Sequence, residues 1–373
     1  MRMPNDSLGQ LLMTGVPGFE LDSATAAAFR RIQPGAFILF GRNIQTAVQL
    51  RKLIDDLRDL SDVEPIITID QEGGRVSRLK LLGTEPPNAN QLRDKGDPEL
   101  ILRHGQITGR LLRLFGFNLD LCPVLDISFD DEADNSLKGR CYGNDVDQVI
   151  RNAGAFNEGL RSEGILSCGK HFPGYSRATI DAHHELPTID LTRKELENHE
   201  LAVFRHFASK VDSMMIGHAF YPALDASGLP SSLSPKVIAE LLREDLGFKG
   251  LVMTDDLDMG AILDPYGQDD RGLERVLEHA MSAGNDLAMI CHRVDKVEVA
   301  KEALGRVAEK LVSRALEAVQ HFKKRLTPPD LFSEEEFVRR DREVWDLRVA
   351  VLGEEDAARR SAEDGKRSPV ETY

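Results

Sequence analysis

Eight short apolar runs recur through the chain up to residue 291, and most are followed by a polar loop and a helix-like stretch. The runs are GQLLMTG near 9–15, GAFILF at 35–40, EPIITID at 64–70, FNLDLCPVLDI at 117–127, LSCGKHF at 166–172, VDSMMIGHA at 211–219, GLVMTDD at 250–256 and NDLAMIC at 285–291. Stretches between them, such as TAVQLRKLIDDLRDL and PELILRHGQITGRLLRLFG, space their apolar residues as amphipathic helices do. Strands alternating with helices build parallel βαβ units. Eight such units predict an α/β fold, a single (β/α)8 TIM-like barrel with a C-terminal helical extension. After about residue 295 the pattern turns helical and then charged. The expected division is therefore a barrel over 1–335 and a helical, charged extension over 336–373, with the low-hydrophobicity end GEEDAARRSAEDGKRSPVETY partly disordered. No internal repeat at a fixed period is found.

In a barrel of this kind the loops that follow the strands converge on one face, and that face holds the active site. Asp70, Asp126, Lys170, His171, His218, Asp255 and Asp256 all fall at the C-terminal ends of the runs. A single polar residue there is usually a cap or turn residue; seven on one face are hard to explain as caps. The net charge of −15, the absence of a basic block and an aromatic content of 6% argue against nucleic acid and against an acidic membrane surface. No apolar run approaches the roughly 18 residues of a transmembrane helix. The start, MRMPNDSLGQLLMTG, has no apolar signal core, so a cytoplasmic protein is expected. Cys122, Cys141, Cys168 and Cys291 are far apart and form no CxxC pair, which reads as reduced thiols.

Three stretches carry chemistry. In DQEGGRVSRL (70–79) a carboxylate closes an apolar strand, and Gly73-Gly74 permits a tight turn with positive φ. Asp70 would then face the barrel mouth and accept hydrogen bonds from adjacent sugar hydroxyls, or form a structural Asp–Arg pair. In LVMTDDLDM (251–259) a carboxylate at a strand end can serve as nucleophile, base or metal ligand. Adjacent acids point to different sides, so one of Asp255 and Asp256 faces the centre and the other holds an Arg or a backbone N–H. In KHFPGYSRATIDAHHELP (170–187) Lys170 and His171 end a strand and Pro173-Gly174 breaks the chain. Asp181 and His183 then face the same way if the segment is extended, so the carboxylate can orient the ring and raise its pKa. His171, Asp181, His183 and His184 are competent metal ligands, but there is no HExxH and no helical His pair, and no metal is expected.

Taken in order and at their spacings, DQEGGRV, KHFPG, DAHHELP and MTDDLDM, with PGAFILFGRNI and AMSAGNDLAMIC, resemble glycoside hydrolase family 3 over roughly residues 8 to 300. The Asp-x-His element resembles its β-N-acetylglucosaminidase branch. The resemblance implies a retaining two-step mechanism with Asp255 as nucleophile, His183 as proton donor and then base, and Asp181 as its dyad partner. It implies sugar binding by Asp70, Arg78, Arg140, Lys170 and His171, and no cofactor. The sequence departs from the branch at Tyr175-Ser176 (commonly His-Gly), at Ala182 (commonly Ser) and at Cys141-Tyr142 after Arg140 (commonly Ser-Phe). Loss of the glycine is expected to stiffen or redirect the loop. The expected activity is release of terminal β-linked N-acetylglucosamine from muropeptide or chitin-derived fragments, in peptidoglycan recycling. The expected partner is a small carbohydrate, with no nucleic acid and no membrane, and the chain is expected to be a monomer or weak homodimer. Two alternatives stand beside it. One is a phosphorylase, since a histidine acting as base is neutral and does not repel an incoming phosphate. The other is a non-catalytic sugar-binding relative, for which a retained nucleophile would have no use.

Overall fold

The computed structural model describes residues 5–131, 136–178 and 185–359. Its strands, in chain order, are β1 (Leu12–Gly15), β2 (Ala36–Leu39), β3 (Ile66–Ile69), β4 (Gln71–Gly73), β5 (Val76–Ser77), β6 (Leu119–Asp120), β7 (Leu166–Phe172), β8 (Ser213–Ile216), β9 (Leu251–Asp256) and β10 (Leu287–Ile290). Eight of them close into a parallel barrel in the order β1-β10-β9-β8-β7-β6-β3-β2, while β4 and β5 pair separately as an antiparallel hairpin. The eight apolar runs are thus the eight barrel strands, with helices between them.

Two runs are trimmed for physical reasons. The start of the first is a 3₁₀ turn, Asn5–Leu11, so that strand begins only at Leu12. The fourth run yields a two-residue ladder because Pro123 has no N–H to donate; beyond it, pairing survives as the single bridge Val124↔Lys170. The register is regular from Ala36↔Ile66 to Leu39↔Ile69 between β2 and β3 and from Ser213↔Leu251 to Ile216↔Thr254 between β8 and β9, and it shifts between Gly169 and Phe172 on β7 and between Leu287 and Met289 on β10. The period of two divides the side chains. Ile38, Met215 and Met253 fill the barrel interior, whereas Phe37, Leu39, Met214 and Val252 pack beneath the helices.

The helix Pro98–Phe115 shows how local sequence sets its neighbours. Asp97 caps its N-terminus through the Glu99 N–H, Pro98 occupies its first position, and Gly116 ends it at a φ of 98°. The helix Glu334–Leu352 packs across it and buries Val344, Leu347 and Val351. His104, on the Pro98–Phe115 helix, is buried against the Phe156 ring (5.2 Å), and neither of its ring nitrogens has a hydrogen-bond partner. Burial pushes its pKa down to about 4.

A depressed folded-state pKa contributes stability that is present above the ordinary value of 6.5 and is lost as pH falls through about 4. The loss from this one side chain is about 3 kcal/mol. Urea denaturation of wild type and His104→Leu at pH 7 and pH 4 should therefore show a shallower acid decline in the variant. Parallel declines would show that His104 does not drive it. No helix among the described residues is long and apolar enough to cross a membrane.

Candidate active site

The loops after the strands meet at the C-terminal mouth around a pocket of about 650 Å³, its open entrance included. Asp70, Arg78, Arg140, Lys170, His171 and Asp255 all line it. These are the five sugar-binding residues and the nucleophile expected from the sequence, drawn together from four separate segments of the chain. Asp181 and His183 lie outside the described residues. Among the described residues, no group of three His, Cys, Asp or Glu side chains is arranged to hold a metal ion.

The floor is a buried ionic network. Gly73 and Gly74, at φ of 113° and 55°, fold β4 back onto β5 as the sequence implied. The turn leaves Glu72 facing the pocket floor, 4% exposed. Glu72 takes a bidentate pair of bonds from Arg140, Nε to Oε2 at 2.8 Å and NH2 to Oε1 at 2.7 Å. Lys170 Nζ lies 2.6 Å from Glu72 Oε1 and donates to Asp70 Oδ1 at 2.7 Å. Arg75, at the hairpin turn, donates to the Lys138 and Ser136 carbonyls at 3.0 and 2.6 Å and so holds the segment that presents Arg140. Burial opposes the Glu72 charge, but Arg140 and Lys170 outweigh it and hold the carboxyl well below the usual range. Burial likewise opposes the Lys170 charge, and Asp70 and Glu72 outweigh it and raise its pKa. Arg78 is buried, stands 3.9 Å from Asp70 Oδ2, and its Nε has no acceptor.

Glu72 was missed as a site residue. Its signal was charge balance: Arg140 and Lys170, buried side by side, require more than one carboxylate. Glu72→Gln is expected to destabilise the fold by about 3–5 kcal/mol, because it leaves Arg140 and Lys170 short of a counter-charge. A denaturation midpoint within experimental error of wild type would show that the network carries no such weight.

A second group orients His171. Asp126 accepts from the His171 backbone N–H at 3.2 Å and from Nδ1 at 2.8 Å, so Nδ1 carries a proton and Nε2 is left for a ligand. Asp126 also accepts from Tyr175 N–H at 2.6 Å. Tyr175, where the family branch commonly has histidine, lies against the His171 ring (5.2 Å between centroids), and its hydroxyl accepts the His218 N–H. Ser176 accepts from Ile127 N–H at 2.9 Å. The departing pair therefore ties the root of its loop to the end of the neighbouring run. Burial and then the Asp255 charge push the Tyr175 hydroxyl well above its usual titration range, so it stays a neutral donor. His218 itself is fully buried, with Nδ1 2.7 Å from Ser232 Oγ and Nε2 3.0 Å from the Asp256 carbonyl. It braces the end of β9 and does not line the pocket.

The paired acids divide as expected. Asp255 shares its side of β9 with the interior residue Met253, lines the pocket and accepts the Asp256 N–H at 2.8 Å. Asp256 is more buried and accepts the N–H groups of Asp258 (3.0 Å) and Cys291 (3.2 Å). Burial and the Asp258 charge raise its pKa. His292 Nε2 stands 3.4 Å from Asp256, and Arg42 donates to His292 Nδ1 at 3.0 Å. Because Arg42 has only donors, His292 is held as the neutral Nε2–H tautomer. Of the two, Asp255 is the less buried.

Residues 4–322 match the glycosyl hydrolase family 3 N terminal domain. The chain belongs to glycosyl hydrolase family 3. It is 33% identical over 301 residues to a beta-hexosaminidase of Photobacterium profundum, covering 79% of this chain and 86% of that protein. It is 33% identical over 307 residues to a beta-hexosaminidase of Vibrio cholerae, covering 82% and 88%. Among solved structures, a family 3 beta-N-acetylglucosaminidase from Paenibacillus sp. superposes with a TM-score of 0.83 at 32% identity, covering 93% of this chain and 68% of that one. This family 3 chain is a glycoside hydrolase on a (β/α)8 barrel, as its motifs implied.

Proposed function

We propose that the chain is a retaining exo-β-N-acetylglucosaminidase. The observation that carries this reading is Asp255: a pocket-lining carboxylate brought together with five side chains suited to sugar hydroxyls. A charge count supports hydrolysis over phosphorolysis. Arg78, Arg140 and Lys170 are offset by Asp70, Glu72 and Asp255, so the floor offers no surplus cation to an incoming phosphate. The named activities of the relatives point the same way.

In the first step Asp255 attacks the anomeric carbon while His183 gives its proton to the glycosidic oxygen, and the aglycone departs as an alcohol. In the second, His183 takes a proton from water, the water oxygen attacks the anomeric carbon, and the bond to Asp255 breaks with its electron pair returning to the carboxylate. Two displacements restore the β configuration. Asp181 orients His183 and stabilises its cation. Asp70, Lys170, His171, Arg78 and Arg140 hold the sugar, which fixes the anomeric carbon over Asp255. The natural substrates in this proposal are muropeptide or chitin-derived fragments met in the cytoplasm during peptidoglycan recycling; the four cysteines, all buried and unpaired, suit a reducing compartment.

The test is release of p-nitrophenol from the β-N-acetylglucosaminide, β-glucoside and β-xyloside, with and without phosphate. Preference for the acetamido sugar with free N-acetylglucosamine as product is the expected result. A sugar 1-phosphate formed in proportion to added phosphate would overturn the hydrolytic reading, and preference for the glucoside would overturn the substrate.

A further inference from the structure

The helix Glu334–Leu352 lies beyond the residues that match the family domain, yet a chain of contacts runs from it to the sugar pocket. Asp341 accepts from Thr84 twice, from its N–H at 2.6 Å and from its hydroxyl at 3.0 Å. Arg348, 3% exposed, donates from NH1 to the Glu85 carbonyl at 2.9 Å and to the Glu85 carboxylate at 3.2 Å. The next two residues reach the hairpin. The Pro86 carbonyl accepts the Gly74 N–H at 2.9 Å, and the Pro87 carbonyl lies so close to Gly73 that a Cβ there would collide with it. The glycine turn in turn sets Glu72, which holds Arg140 and Lys170. Only a small cavity lies between helix and hairpin, lined by Gln71, Thr84, Pro86 and His104 and by Asp341 and Val344 of the helix. At this point hydrogen bonds through the 84–87 strap link the helix to the hairpin.

We propose that the 334–352 helix is a positioning element for the sugar subsite. Asp341 and Arg348 clamp the strap, the strap presses the Gly73-Gly74 turn into place, and the turn fixes Glu72 so that Arg140 and Lys170 stand in register for the sugar. The inference rests on the reading of Arg140 and Lys170 as sugar-binding groups. Asp341 accepts two bonds from the strap and Arg348 gives it one nitrogen, its other two holding the Ala357 and Arg359 carbonyls. What the bonds to the strap constrain is the geometry of the residues that hold the sugar. A helix that only covered apolar surface would not need them.

The experiment is steady-state kinetics on the full chain with p-nitrophenyl β-N-acetylglucosaminide, together with inhibition by free N-acetylglucosamine and a melting curve. Asp341→Ala and Arg348→Met are expected to raise KM and the inhibition constant about fivefold each, the scale of a lost positioning hydrogen bond, with kcat within about twofold. Arg342→Ala, on the exposed side of the same helix, should change neither. Arg140→Lys tests the site reading by itself and should raise KM. If Arg140→Lys leaves KM unchanged, the site reading fails. If it raises KM while Asp341→Ala and Arg348→Met lower only the melting temperature, the positioning role is overturned and the site reading stands. Should those two variants not fold, Thr84→Val decides: a raised KM supports the strap and an unchanged KM overturns it.

Discussion

Asp255→Asn is expected to lower kcat by on the order of 10⁴-fold or more while the melting curve stays in place. The amide has nearly the shape of the carboxylate and can keep the hydrogen bond from the Asp256 N–H. It cannot form the glycosyl ester and carries no charge to stabilise the developing oxocarbenium ion. A smaller nucleophile should then take its place: Asp255→Gly with added azide should release the α-glycosyl azide, since one displacement inverts what two preserve. Retention of a tenth of wild-type turnover by Asp255→Asn would move the nucleophile elsewhere, and Asp256 would be the next carboxylate to test.

For His183→Ala the expected loss depends on the leaving group. Aglycones that leave as poorly stabilised alkoxides should lose about 10²- to 10⁴-fold in kcat/KM, the range of general acid catalysis. A 2,4-dinitrophenyl glycoside, whose leaving group needs no proton, should lose far less, and its glycosyl-enzyme should accumulate because water is no longer deprotonated. Azide should speed that second step and yield the β-azide. An equal loss across leaving groups would remove His183 from the proton-transfer role. Asp181→Asn should show the same pattern at smaller scale, because in the proposed mechanism it acts through His183.

The barrel was legible because its signal is local. Each strand is a short apolar run bounded by polar residues, and eight of them in alternation with helices leave few architectures open. Strand limits were less legible where a single residue governs pairing, as Pro123 does in the fourth run. The site divides along the same line. Asp70, Lys170, His171 and Asp255 could be found because a strand end places them at the mouth. Glu72 and the role of Asp126 were harder, since both rest on partners distant in the chain: Arg140 stands 68 positions from Glu72, and His171 45 from Asp126. Tyr175 and Ser176 read as a loss of flexibility, but what replaces the commoner pair is two side-chain ties, Tyr175 Oη to the His218 N–H and Ser176 Oγ to the Ile127 N–H. The 334–352 helix had a helical signature but nothing local to say that two of its side chains grip a strap beside the sugar site.

Gly217 has a consequence at the level of sequence divergence. A Cβ at this position would lie 2.8 Å from the Tyr175 ring and 3.0 Å from the His171 Cβ, too close for either ring to keep its place. The tyrosine can occupy the loop root only because its neighbour on β8's exit has no side chain. Positions 175 and 217 should therefore change together among related chains: a tyrosine at the first should demand glycine at the second. An engineer who transplants the Tyr-Ser loop root onto another barrel of this family should carry the glycine with it, since the pair behaves as one inherited unit although 42 positions separate its members.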